Sequence, residues 1–128
     1  MLIIKTYLKE TKDKGLGLFS SETLPVNTIV HIDETDFDKK YTYDFAKNAG
    51  LLKFFYHYAT YEKDVDMFYL CSDNARFINH SESPNIFYDK EKCHCITIKD
   101  IAIGEEITTD YRNICDDIKY NGFDFEVY

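Results

Sequence analysis

The stretch Asn74-Ala-Arg-Phe-Ile-Asn-His-Ser-Glu-Ser-Pro-Asn85 decides how the rest of this chain is read. Asn79, His80 and Ser81 follow an apolar pair, Phe77 and Ile78, and precede a Pro84-Asn85 turn. Three side chains rich in donors and acceptors thus stand where a buried segment gives way to a loop, a place that tends to carry function. Taken alone, the stretch reads equally as a polar turn closing a short strand. It has to be weighed with a second stretch farther along, Gly104-Glu-Glu-Ile-Thr-Thr-Asp-Tyr111.

Composition narrows the setting. With 128 residues, the chain is expected to be one domain, 1–128, with enough length for a real core. Aromatics make up 16% with no Trp, so Tyr and Phe must dominate packing, and the 11 tyrosines each need a partner or solvent for the hydroxyl. A net charge of −8 argues against direct nucleic-acid binding, which needs clustered Lys and Arg on phosphate. The same charge suits a basic partner, such as a Lys- or Arg-rich protein segment, although solubility alone would also explain it. No apolar run reaches the ~18 residues of a membrane span, and the start lacks the pattern of a signal peptide. The expectation is a soluble, intracellular protein, in the cytoplasm or in a host nucleus.

Along the chain, short runs rich in β-branched and aromatic residues predict strands near 2–8, 28–32, 67–71, 85–88, 93–98 and 106–110. Apolar spacing of three and four between Tyr43 and Tyr61 predicts one substantial helix, with Gly50 as its weak point. Asp33 to Asp44 reads as a strand end and loop. Lys14-Gly15-Leu16-Gly17 lies in a turn-rich loop; Gly-x-Gly alone fits a hairpin turn, and no third glycine follows for a dinucleotide fingerprint. Cys93 and Cys95 would share one face of a strand with His94 on the other, which leaves no evident three-ligand site. The segment 112–128 carries Tyr120, Phe123, Phe125 and Tyr128, too many aromatics for a disordered tail, and is expected to pack back on the domain.

Three of these stretches, in order, resemble the signature motifs of SET-domain protein lysine methyltransferases: Lys14 to Phe19, Arg76 to Ser81 with Pro84-Asn85, and Gly104 to Tyr111. The resemblance implies a mainly β (α+β) SET-domain fold of small curved sheets, with a C-terminal pseudoknot and one short helical insert. It implies S-adenosylmethionine as cofactor and a lysine-containing protein as substrate. Lys14, Gly15, Leu16, Gly17, Arg76, Asn79 and His80 would hold the cofactor, and Tyr111 would stand at the methyl transfer point. Tyr58 or Tyr61 would line the lysine channel, and Tyr88 would limit how many methyl groups are added. Many relatives carry a cysteine after Asn-His-Ser and a cysteine-rich tail that bind zinc. Here Glu82 follows Ser81 and the tail holds only Cys115, so no metal is expected, and Phe123 or Phe125 would close the channel by packing instead. Without flanking recognition domains, substrate choice would rest on this small unit, with a homodimer as one way to enlarge its surface. The competing reading is a SET-like module that binds a basic protein segment without catalysis.

Overall fold

A computed structural model describes residues 1–114. Ten short strands form four small sheets. The strands β1 (Thr6–Glu10) and β2 (Leu16–Ser20) make an antiparallel hairpin. A second sheet has the order β3-β9-β8, from Ile29–Ile32, His94–Thr97 and Ile86–Asp89. A third has the order β4-β6-β5, from Lys39–Thr42, Met67–Leu70 and Thr60–Glu62. The last pairs β7 (Asn79–His80) with β10 (Thr108–Thr109), and this one pairing is parallel.

Two cores lie under these sheets. Leu18, Val30, Ile86, Ile101 and Ile107 are almost completely buried and belong to one cluster. All but Leu18 are β-branched, and Val30 and Ile86 project from strands, whose pleated faces suit that shape. The second cluster joins Ala46, Phe55, Tyr61 and Phe68. Phe68 is its hub, with ring centroids of Phe55, Tyr56 and Tyr61 at 5.3, 5.2 and 5.0 Å in tilted or edge-on arrangements. Here aromatic rings fill the space that Trp and longer aliphatic runs would occupy elsewhere.

The predicted single helix is two. α1 spans Tyr43–Asn48 and α2 spans Leu52–Tyr58. Gly50 takes φ +70 between them, a conformation that an α-helix cannot continue through. Thr42 caps α1 by accepting from the Phe45 amide. The 33–44 segment is also more ordered than expected, since β4 forms within it against β6. Cys93 lies outside β9, in a turn with φ +52, and is exposed whereas Cys95 is buried, so the two do not share a strand face. Among the described residues no helix is long and apolar enough to cross a membrane.

Candidate functional site

The β7–β10 pairing brings together two motifs far apart in sequence, with Asn79 opposite Thr108 and His80 opposite Thr109. A two-residue ladder is too short to hold itself. Flanking bonds supply the rest: the Ser81 amide donates to the Thr109 carbonyl at 2.9 Å, and the Asn85 amide to the Thr108 carbonyl at 3.2 Å. The Asn85 side chain then sutures the crossing. Its Nδ2 donates to the Glu106 carbonyl at 2.8 Å, and its Oδ1 accepts from the buried Thr108 amide at 2.9 Å. Asn85 is 5% exposed, so both bonds are made away from water.

Immediately after β10 the chain presents Tyr111, and His80 and Ile78 hold it. The Tyr111 amide donates to His80 Nδ1 at 3.2 Å, and its hydroxyl donates to the Ile78 carbonyl at 2.7 Å. The two rings stand 5.4 Å apart. With Nδ1 accepting, the His80 ring proton sits on Nε2. Burial is the main reason that the His80 pKa lies below its ordinary value of 6.5; Asp110, with Oδ1 3.8 Å from Nδ1, pulls the other way. The imidazole is therefore neutral at neutral pH. Arg112 in turn holds Asp110, with Nη2 at 2.6 Å from Oδ2 and Nε at 2.8 Å from Oδ1. These hydrogen bonds keep the Asp110 carboxyl below its ordinary range.

The glycine-containing loop reaches the same place. Lys14 Nζ donates to the His80 carbonyl at 2.9 Å. Asn79 Nδ2 bridges the Leu16 carbonyl at 3.2 Å and Glu106 Oε1 at 2.9 Å. Gly17 is demanded by this packing: a Cβ there would lie 2.6 Å from Glu106 Oε1, 2.8 Å from Thr11 Cγ2 and 3.1 Å from Asn79 Nδ2. The close packing at Gly17 is an approach of the chain to itself. Leu16 leaves 46% of its side chain exposed beside these polar groups.

Tyr111 also borders a cavity of about 280 Å³. Its wall includes Tyr58 and Tyr88, named from the sequence for the lysine channel, and Arg76, named for the cofactor, together with Tyr56, Tyr69 and Thr109. Tyr61 is not part of that wall. It sits 8% exposed in the aromatic core, with its hydroxyl bonded to Asp66, because β5 turns it toward Phe68. Tyr58 packs edge-on against Phe77 at 5.6 Å, and the Arg76 guanidinium lies 5.3 Å from that same ring. The Tyr88 hydroxyl donates to Asp33; burial and this carboxylate push its pKa up. Phe123 and Phe125 lie outside the described residues. Thr109 Oγ1 is buried at this wall, and among the described residues it has no hydrogen-bond partner. Tyr69 was legible in principle: alternation along Met67-Phe-Tyr-Leu turns it away from the core that Phe68 fills. The partnership of Asn85 with a backbone amide more than twenty residues away had no sequence signal.

The family description "SET domain" matches residues 15–112. No curated protein sequence matches the chain. Among solved structures, a humanized mutant of the Chaetomium thermophilum Polycomb Repressive Complex 2, bound to an inhibitor, has a TM-score of 0.61 at 20% identity over 89% of this chain. An active polycomb repressive complex 2 in the basal state has 0.60 at 18% over 88%. In both cases this chain spans only 16% of the other. A Plasmodium falciparum protein described as a candidate histone methyltransferase has 0.56 at 22%, over 84% of this chain and 93% of that one.

Proposed function

The chain belongs to the SET-domain family, and from that premise we propose that it is an S-adenosylmethionine-dependent protein-lysine N-methyltransferase. The carrying observation is that one crossing of β7 and β10 assembles Asn79, His80 and Tyr111, with Leu16 and Lys14 bonded to the first two and Tyr111 bordering a tyrosine-walled cavity. We read this crossing as the pseudoknot that the resemblance implies, an exception to the rule against threading.

The residues fit the cofactor on three counts. Leu16 offers an exposed apolar face, Arg76 a cation, and Thr109 a buried hydroxyl in want of a partner. Lys14, Gly15, Leu16, Gly17, Arg76, Asn79 and His80 would hold it. When bound, S-adenosylmethionine supplies an electrophilic methyl group on a sulfonium. The protein's own part is positioning. The Tyr111 hydroxyl donates its proton to the Ile78 carbonyl, and a phenol oxygen so oriented is the type of acceptor that takes weak C–H···O contacts from a polarised methyl. His80 fixes the Tyr111 backbone without carrying charge itself, and alignment of amine and methyl would supply much of the rate.

The attacking lysine must be neutral, although free lysine titrates near ~10.4. Asp33, Glu34, Asp38 and Glu62 stand along the cavity and attract it as a cation. Ile78, Ile86 and tyrosine rings line the same cavity, where they would exclude water, and desolvation favours the uncharged amine. The same carboxylates favour a second reading, a non-catalytic module for a basic protein segment. Thermal unfolding with S-adenosylmethionine separates the two. At a hundredfold its dissociation constant, the cofactor should add about 2.7 kcal/mol to the wild type and nothing to Asn79→Ala. Transfer of labelled methyl to a Lys-rich protein should then fall by about 10²-fold or more in Tyr111→Phe. No shift at millimolar cofactor would move the reading to the binding module.

A further inference from the structure

His31, Asp38 and Cys71 bring a ring nitrogen, a carboxylate oxygen and a sulfur within 4.8 Å of one another. They come from three separate segments: β3, the loop that enters β4, and the residue following β6. All three border the same cavity, and methyl transfer as described uses neither His31 nor Cys71, and Asp38 only as one of several carboxylates along the wall.

The charge around this cluster calls for a cation. Asp33, Asp38 and Asp73 all act on both His31 and Cys71, against the single positive charge of the Met1 amino group. The Met1 amino group lies 2.9 Å from His31 Nε2, so that nitrogen already faces a positive charge. On the other edge of the ring, Asp33 Oδ1 lies 3.6 Å from Nδ1. Asp38 uses Oδ1 to accept from the Ser72 amide at 3.2 Å, which leaves Oδ2 for a ligand.

We propose that His31, Asp38 and Cys71 form a site for a divalent ion of the Zn²⁺ class, its fourth position open to the cavity. A nitrogen, an oxygen and a sulfur suit a borderline ion; Mg²⁺ or Ca²⁺ would leave the sulfur unused. On binding, the ion takes one ring nitrogen of His31 and a carboxylate oxygen of Asp38, Cys71 releases its thiol proton to solvent, and a sulfur–metal bond forms with no change of oxidation state. Bonds of ~2.0–2.3 Å in a tetrahedron place ligand atoms ~3.5 Å apart, so the cluster closes by small rotations of the half-buried Asp38 and Cys71 side chains. This site is separate from the cysteine-rich tail whose absence led to the expectation of no zinc.

Titration of the reduced, metal-stripped full chain with Co²⁺ tests the site directly and independently of any methyl transfer. The expected result is one equivalent bound, with a thiolate-to-cobalt charge-transfer band that Zn²⁺ removes by competition. Cys71→Ser should abolish the band, Asp38→Asn should weaken binding tenfold or more, and Cys93→Ser, an exposed thiol outside the cluster, should leave it intact. Absence of a band, or one that survives Cys71→Ser, overturns the proposal. Should Cys71→Ser fail to fold, unchanged Co²⁺ affinity in Asp38→Asn overturns it equally.

Discussion

Replacing Asn85 by Ala removes no atom that touches the cavity, yet it should cripple the site. The side chain satisfies two backbone groups, the Glu106 carbonyl at 2.8 Å and the Thr108 amide at 2.9 Å. Ala can serve neither, and at a residue 5% exposed water cannot readily replace them. Each orphaned buried group costs about 1–3 kcal/mol, so the pair sums to about 2–6 kcal/mol. Relaxation and entry of a water would keep the observed value in the lower half, about 2–4 kcal/mol. Against a total of about 5–15 kcal/mol for a native domain, this is a large share. The melting temperature should drop by about 8–15 °C, taking about 4 °C per kcal/mol for a domain of intermediate size. Urea unfolding followed by circular dichroism measures the loss, with Ser83→Ala as an exposed comparison in the same loop. The urea midpoint should fall with its slope unchanged. Below the new transition, cofactor binding should weaken too, because Asn85 holds the strand that leads to Tyr111. A loss under about 1 kcal/mol would refute the view that this side chain sutures the crossing.

Three further outcomes follow from the same geometry. Gly17→Ala places a methyl 2.6 Å from Glu106 Oε1 and 2.8 Å from Thr11 Cγ2, so it should cost about 1–3 kcal/mol and break the Asn79–Glu106 bond, read by thermal unfolding and cofactor affinity. Tyr88→Phe frees Asp33 from its hydroxyl partner; under the methyltransferase reading it should raise the share of more highly methylated product, and an unchanged distribution by mass spectrometry would remove Tyr88 from that role. Arg112→Ala releases Asp110. The folded carboxyl is held below its ordinary value of 3.8, so its contribution is present above that value and is lost as pH falls through the folded value. The variant should therefore be less stable than the wild type at neutral pH, by a small amount because Arg112 is exposed, and the difference should close as pH falls through the folded Asp110 value.

Much of the fold was legible because short β-branched runs carry their own period. The strands near 28–32, 67–71, 85–88 and 93–98 were all expected within a residue or two of where they lie. The helix between Tyr43 and Tyr61 was not, since its spacing is helical on both sides of Gly50 and only the φ of that residue separates them. Tyr58 and Tyr61 show the limit most clearly. Both are aromatic, three residues apart and equally plausible as channel walls in sequence. One ends a helix beside the cavity, and the other begins the core side of β5.

Residue identity, order and spacing thus determined the family and which polar groups would matter, because close contact with a shared chemistry constrains side-chain type wherever the chain goes. Tertiary structure alone decided what each group touches. It gave Gly17 to Asn79 and Glu106, Asn85 to the backbone of the crossing strand, Tyr88 to Asp33, and it gathered His31, Asp38 and Cys71 from three segments. Such contacts are long-range: they depend on how the sheets pack, and no local propensity or period encodes them.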